Sequence, residues 1–588
     1  MIKVSDYIID YLYKKGVEDI FMFVGGGAMH LNDSVGKHNK INNVTCLHEQ
    51  ACAIAAESYA RCKNNLGVAI VTTGPGATNT VTGIAGAWIE STPLFVISGQ
   101  VKRSDSMLNT GVRQMGVQEV DIVSIVKPIT KYAVLLNDPQ KVRYELEKCI
   151  YLATNGRKGP VLLDIPLDVQ ATMIDETNLE PYLIVNEQQK IDKSSMGELL
   201  SLITNCKKPL LYVGAGVYFA NAQKEFLECV NRFNIPVVTT WNGMDLIWDD
   251  HPLYMGRPGA IGQRAANFMI QNCDLLIAVG TRLASLQTGF NYASYAKKAK
   301  LVMVDIDINE LNKEKLHPYI KVHSDAKYFF ATLLSSDIKL NDYSEWVNRC
   351  NDWKKKYPNL NPNWLNDKFV NSYYLVDAIS TLMDSEDVYC GGRAGTCIDT
   401  IIQAFKVKEN QRVIATKGLS SMGYGIPAAI GASFAFKGKK IICNNGDGGF
   451  VMNIQELAVI KRHNLPIKFF ILNNNGYATI VSTQTNVFNK HFVGCTPESG
   501  LSVGDIKAIA IAYGIKVIEI KSNNEIWVKV QEALLYDGPI VCDVKVSIMQ
   551  PIEPRQANYK TPEGQMASRP LEDMKPLLSR EELAENMM

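Results

Sequence analysis

The stretch NGDGGF, Asn445–Phe450, ends the apolar run KKIICNN and decides how the rest of the chain is read. A short continuous apolar run closed by glycine reads as a strand buried on both faces. The glycines around Asp447 leave the backbone bare where that strand ends. A second run, IKFFIL, leads to Asn473-Asn474-Asn475-Gly476, so that Asp447 and Asn474 stand 27 positions apart. Between the two runs lies FVMNIQELAVIKRHNLP, with apolar residues at helical spacing. Strand, GDG, helix, strand, NN is the order of a right-handed parallel βαβ unit. Its two polar clusters emerge side by side at the strand carboxyl ends, where such sheets bind ligands. A carboxylate and an amide oxygen are hard donors suited to Mg2+ or Ca2+, and bare backbone at a helix start suits a diphosphate. For GDG alone, an N-capping aspartate in an ordinary turn explains as much. The paired NN at this distance favours a metal-bound diphosphate.

Outward from this unit, short strand-like runs alternate with helical patterns along all 588 residues. The pattern predicts an α/β protein of three doubly wound parallel-sheet domains. The first block covers 1–180, with VAIVTT, PLFVISG and GPVLLDIP as strands, and is followed by a linker, VNEQQKIDKSS. The second covers 190–340, with PLLYVGAG, IPVVTT, LLIAVG and KLVMVDID, and the polar connector NDWKKKYPNLNPNW follows it. The third covers 365–550. Residues 551–588, rich in Pro, Glu and Lys, read as an extended surface tail ending in a short helix. No short internal repeat is visible. A formal charge of +1 gives no electrostatic case for nucleic acid or an anionic membrane as partner. No apolar run reaches ~18 residues, so no membrane span is expected. The N-terminus reads as an amphipathic helix rather than a signal peptide. Thirteen cysteines without a CxxC pair read as reduced thiols, which points to the cytoplasm.

The GDG–NN pair, together with GLSSMGYGIPAAIGA at Gly418–Ala432, resembles the thiamine diphosphate (ThDP) enzymes. The resemblance is to their acetolactate synthase branch, where the second stretch reads GLGTMGFGLPAAIGA. It implies ThDP and Mg2+ as cofactors, with Asp447, Asn474 and Gly476 at the metal. Gly446, Gly448 and Gly449 allow the diphosphate close approach, and Met422 props the cofactor in a bent conformation. YCGGRAG places Gly392 and Arg393 near the diphosphate. In HEQACAIAAESYAR, Glu49 read alone is an acid favoured at a helix start. The resemblance makes it the catalytic glutamate, hydrogen-bonded to the pyrimidine N1′ and acting as general acid/base. GPGATN would bring Thr73, Gly76 and Asn79 to the pyrimidine end, and GVQEVDIV would turn Gln118 toward the reacting carbonyl. Family members assemble their sites between subunits, which implies a homodimer or a dimer of dimers. The second block, with Gly214 and Gly216 in YVGAG, GTR at 280–282 and VDIDINELNK, has a Rossmann-like layout. Some relatives bind FAD there and others keep the domain without flavin. The glycines alone are a weak signal.

Several stretches depart from that branch. GMLGMHG appears as GRPGAIG, and GARFDDR as GTRLASL, so that Leu286 replaces an arginine; Thr483 stands where the branch has a tryptophan. Losing an indole opens volume, and losing a guanidinium removes a bidentate partner for a carboxylate. FVGGGAMHL replaces the family's YPGGA; His30 there is a candidate substrate-polarising group or a structural histidine. The expectation is a carboligase that decarboxylates a small 2-oxo acid, pyruvate first, and passes the two-carbon unit to a larger carbonyl acceptor such as a keto sugar nucleotide. Lys102, Arg103 and Arg113 are candidates to meet its phosphates, or belong to a solvated face. Acetolactate synthesis proper, non-oxidative decarboxylation, a flavin oxidase and a non-enzymatic scaffold are the rival readings.

Overall fold

The computed structural model describes residues 1–184, 191–392, 395–415 and 417–587. Each of the three blocks supplies one wholly parallel sheet. The first sheet uses, in chain order, Asp19–Met22, Asn42–Thr45, Gly67–Val71, Leu94–Gln100, Tyr132–Leu135 and Val161–Pro166. Counted along the chain these lie in the order 2-1-3-4-6-5. The third sheet uses Val388–Cys390, Arg412–Ile414, Ile441–Gly446, Ile467–Asn473, Lys516–Ile520 and Ile540–Lys545, in the same order 2-1-3-4-6-5. Between them the middle sheet runs 2-1-3-4-5 through Pro209–Val213, Val237–Thr239, Leu275–Val279, Lys300–Asp305 and Ile320–His323. The central strands are buried residue after residue, which is why they read as continuous apolar runs rather than alternations. The strands absent from the sequence reading are mostly three to five residues long, at or near sheet edges, and too short to stand out.

The first and third blocks dock through equivalent helices. Glu49–Lys63 follows the second strand of its sheet, and Gly425–Ala435 follows the second strand of the other. Small residues let them approach closely: a Cβ on Gly431 would sit inside van der Waals contact of the Ala55 carbonyl. Buried Glu57 ties the pair together, accepting from Thr92 Oγ1 at 3.0 Å and from Tyr424 Oη at 2.7 Å across the boundary.

Three expectations about the connections change. The first six residues of the polar connector after the middle block, 351–356, close a helix, Ser344–Lys356, because Trp346, Cys350 and Trp353 give that helix an apolar face that packs on the middle domain. The linker's last residues already belong to the helix Lys193–Asn205, capped by Asp192, while 185–190 lie outside the described residues. The tail is not merely extended. It forms two antiparallel ladders, Arg555–Gln556 with Met574–Lys575 and Asn558–Lys560 with Met566–Ser568, before the helix Arg580–Asn586. Strands of two or three residues carry no readable alternation. Asn267 Nδ2 donates to the Leu571 carbonyl and Trp353 Nε1 to Asn586 Oδ1, fastening the tail to the middle domain.

The thirteen cysteines are free thiols, all but Cys206 buried. No helix among the described residues is long and apolar enough to cross a membrane.

Candidate active site

In the third block the strand Ile441–Gly446 delivers Asp447 as the first residue of a short helix. The single helix expected between GDG and NN is broken into Asp447–Val451, a 3-10 turn Ile454–Glu456 and Leu457–Arg462. Asn453 makes the break: its amide leaves the helix to donate to the Gly423 carbonyl at 2.8 Å and to Gln50 Oε1 at 3.1 Å. Asp447 is 2% exposed. Its carboxylate accepts N–H bonds from Gly448 (2.7 Å), Asn474 (3.1 Å) and Gly476 (3.4 Å). Burial pushes its pKa up, against the pull of those amides. Beside it the buried Asn474 Oδ1 has no hydrogen-bond partner among the described residues. An orphaned oxygen next to a carboxylate is the kind of exception that a bound cation explains.

The glycines here serve two purposes. Gly446 faces open space, so its missing side chain leaves the cavity free. A Cβ on Gly449 would come within 2.9 Å of Asn445 Oδ1, and one on Gly448 would strike the Tyr477 ring and approach Met422 Cε to 3.2 Å. Gly392 likewise abuts Asn445. The cavity they surround measures about 410 Å3 and is walled by Met422, Tyr477 and Thr479 as well as Asp447 and Asn474. One carboxylate, one unpartnered amide oxygen and bare backbone fit a divalent cation that completes its shell with phosphate oxygens and water. Among the described residues no group of three or more His, Cys, Asp or Glu could hold a metal by itself. Arg393 lies outside the described residues.

In the first block Glu49 opens its helix 7% exposed, and its Oε2 accepts from Asn79 Nδ2 at 2.9 Å. A Cβ on Gly76 would stand 3.4 Å from Glu49 Oε1, so glycine keeps that face of the carboxylate clear. The His48 side chain caps the helix by accepting from the Gln50 N–H. Just ahead, the Leu47 N–H points at both oxygens of Glu456, at 2.9 and 3.1 Å. Glu456 is fully buried, and burial pushes its pKa up to about 7 despite those backbone donors. Thr73 Oγ1 donates to Gln100 Oε1 at 2.7 Å. Gln100 Nε2 in turn reaches the Val120 carbonyl and Asp164 Oδ2, so one amide fixes both Thr73 and the loop that carries Gln118. Gln118 itself is exposed, at φ 64°, with its carbonyl pressed against Gly74. His30 is half-buried in the first turn of Met29–Lys37.

The sequence-predicted residues therefore fall into two groups. Gly446, Asp447, Gly448, Gly449, Asn474, Gly476 and Met422 line one cavity. Glu49, Gly76 and Asn79 cluster in the first block, and none of the cavity's described lining residues comes from that block. His30, Thr73 and Gln118 stand outside the cavity as well. Among the cations, Arg103 bonds Asp168 Oδ2 at 2.7 Å and the Asn137 carbonyl, which pins the loop to its own domain, whereas Lys102 and Arg113 are exposed. Thr483 is exposed on the helix Ala478–Val487 with its hydroxyl on the Thr479 carbonyl, and Leu286 packs against the third-block core. Sequence reasoning missed Lys417, Asn453, Glu456 and Gln100. Lys417 stands one residue before the stretch that signals the family, and the others act through hydrogen bonds to residues distant in the chain rather than through a motif.

A second cavity, about 130 Å3, opens at the carboxyl ends of the middle strands against the first block. Arg157, Lys158 and Arg282 line it together with Asp305, whose pKa burial pushes up to about 6. Gly216 and Gly280 are stacked backbone on backbone there. Cations beside a strand-end aspartate suit a nucleoside diphosphate, the adenosine half of FAD included.

Three family models match in succession along the chain. The "Thiamine pyrophosphate enzyme, N-terminal TPP binding domain" covers residues 2–125, the central domain 196–333, and the "C-terminal TPP binding domain" 394–544. With the two-part site just described, they define a ThDP enzyme of three domains. The chain is 33% identical to the acetolactate synthase large subunit of Cyanidium caldarium, over 94% of this chain and 95% of that one. It is 32% identical to acetolactate synthase 2, chloroplastic, of Zea mays (94% and 86%) and to the chloroplastic acetolactate synthase of Arabidopsis thaliana (92% and 81%). The chain belongs to the ThDP-dependent enzymes, on their acetolactate synthase-like branch.

Proposed function

We propose that this enzyme is a Mg2+-dependent carboligase. It decarboxylates a small 2-oxo acid, with pyruvate as the expected donor, and passes the two-carbon unit to the carbonyl of an acceptor larger than pyruvate, such as a keto sugar nucleotide. The observation that carries the reading is the unpartnered Asn474 Oδ1 beside the amide-held Asp447 carboxylate. When bound, ThDP supplies the electron sink for loss of CO2. Asp447, Asn474 and the Gly476 backbone would hold the cation, and Met422 would stand under the bent cofactor. Glu49, steadied by Asn79, would exchange a proton at the pyrimidine N1′. The larger acceptor rests on Leu286 and Thr483, which leave neither a guanidinium for a second small carboxylate nor an indole to narrow the pocket.

The cavity's described lining residues all come from the third block, so a second copy of the chain, presenting its Glu49, would complete the site. This supports at least a homodimer. FAD in the middle cavity is part of the proposal, supported by Asp305 and the cations around it. Free thiols throughout suit the cytoplasm.

The test is incubation of the full chain with ThDP, Mg2+ and carboxyl-labelled pyruvate, with and without a panel of keto-sugar acceptors. CO2 release and organic products are followed by mass spectrometry. CO2 release that speeds up with one acceptor, giving a product two carbons larger, is the expected outcome. Acetaldehyde formed at a rate indifferent to every acceptor would replace the carboligase by a decarboxylase.

A further inference from the structure

Two charged side chains, Lys417 and Asp447, line the 410 Å3 cavity among the described residues. Asp447 is engaged by three backbone amides and stands at the expected cation. Lys417 is different. Its side chain is 16% exposed, and its ammonium pairs with Asp399, itself 10% exposed. Asp399 lies in the first turn of the helix Thr396–Ala404, where the dipole favours an anion, and it is not part of the cavity wall. An ammonium has three donors, and among the described residues Asp399 is its one partner.

The loop that carries the lysine is held at both ends. Glu90 Oε1 accepts from the Gly418 N–H at 2.9 Å, and Asn453 Nδ2 donates to the Gly423 carbonyl at 2.8 Å. The cation is thus presented to the cavity from a fixed position rather than from a free surface chain. Charge balance gives it a task. A ThDP enzyme must seat a diphosphate and a 2-oxo acid carboxylate in this region. One divalent cation, already facing the Asp447 carboxylate, leaves that assembly negative, and an uncompensated anion in an enclosed site is costly.

We propose that Lys417, positioned by Asp399, is an oxyanion-recognition residue of the reaction cavity. The same chemistry comes from two sources, the terminal phosphate of the cofactor and the carboxylate of the 2-oxo acid. The donor source rests on the carboligase reading, and the cofactor source does not.

The experiment titrates the full-length protein with ThDP in saturating Mg2+ by calorimetry and measures CO2 release against pyruvate concentration. It compares wild type, Lys417→Gln, Lys417→Arg and the double variant Asp399→Asn/Lys417→Gln. Loss of a charge-assisted bond predicts that Lys417→Gln weakens one of the two constants by about ten-fold or more. A rise in the ThDP dissociation constant assigns the phosphate, and a rise in the pyruvate KM at unchanged ThDP affinity assigns the carboxylate. Lys417→Arg should recover most of the loss, because the charge remains. The double variant leaves no unpaired charge behind the wall, so it should fold and show the same loss, which guards against misfolding of the single variant. A folded variant without Lys417 that keeps both constants within about two-fold of wild type would overturn the assignment. Wild type that binds ThDP but releases no CO2 from pyruvate would sink the carboligase reading, and the calorimetric comparison alone would then decide the lysine.

Discussion

The first and third sheets have the same strand order, yet loop by loop they are built for different chemistry. After the third strand, one carries Gly74-Pro75-Gly76 and the other Gly446-Asp447-Gly448. Proline offers neither a side-chain oxygen nor an N–H, so that turn can only shape the backbone around Glu49. Aspartate at the matching place gives a hard anionic donor. After the second strand the first sheet places Glu49 at a helix start, and the third sheet places Met422 and Gly423. After the fourth, the first sheet runs into the long loop to Gln118, while the third turns at once through Asn474. A shared framework fixes where loops emerge, and in the proposed function the residues on them divide the work into a proton-handling half and a cation-handling half.

The comparison breaks most visibly at Glu49. Glu49→Gln keeps the size and one acceptor for Asn79 but removes the titrating group. Turnover should fall by about 10²–10⁴-fold while ThDP affinity stays near wild type. CO2 release and calorimetry on the same preparation check this, and persistence of turnover would move the proton to another residue. Glu456 probes the same helix start from behind. Burial holds its pKa near 7 rather than the ordinary 4.5. Between those values the folded chain keeps a proton that the unfolded chain has lost, so stability falls as pH rises through that window and is flat above it. At about 1.4 kcal/mol per unit, the whole window is worth about 3 kcal/mol. Glu456→Gln cannot titrate, so the gap in melting temperature between variant and wild type should change from pH 5 to 7.5. An unchanging gap would remove Glu456 as the source.

On the cation-handling half, Asn474→Ala deletes the orphaned oxygen and leaves Asp447 with its amides. ThDP binding in limiting Mg2+ should weaken by roughly 10–100-fold and recover in part as Mg2+ is raised. Equal weakening at every Mg2+ concentration would mean that Asn474 holds the loop rather than the ion.

How much of this was legible depended on whether a residue acts through its own type or through its neighbours. That Asp447, Asn474 and their glycines meet at one cavity could be read because the spacing of GDG and NN puts both at the ends of neighbouring strands. The central strands could be read because burial on both faces leaves unbroken apolar runs. Lys417 could not, since a lysine before a turn looks like a solvated one until the pairing with Asp399 places it in the wall. Asn453 and Glu456 were hidden inside what looked like one continuous helix. Only the fold shows that the break serves bonds to Gln50, Gly423 and Leu47, residues 30 or more positions away. The tail's ladders and the connector helix were invisible for simpler reasons, brevity in one case and a polar composition around three buried side chains in the other.

The smallest expected effect tests how the two halves are joined. The helices that follow the two second strands cross where Gly431 meets the Ala55 carbonyl, and no side chain fits between them. Gly431 has an ordinary helical conformation, so backbone strain plays no part in its choice. Gly431→Val should destabilise the chain by about 1–3 kcal/mol through overpacking, read as a shifted urea midpoint at unchanged slope. The partner change Ala55→Gly leaves that carbonyl in place and should give little relief, because the obstacle is backbone. Substantial rescue by Ala55→Gly would instead mean that the helices slide to make room. In that case the spacing between Glu49 and the Met422 loop would be adjustable rather than fixed by the crossing.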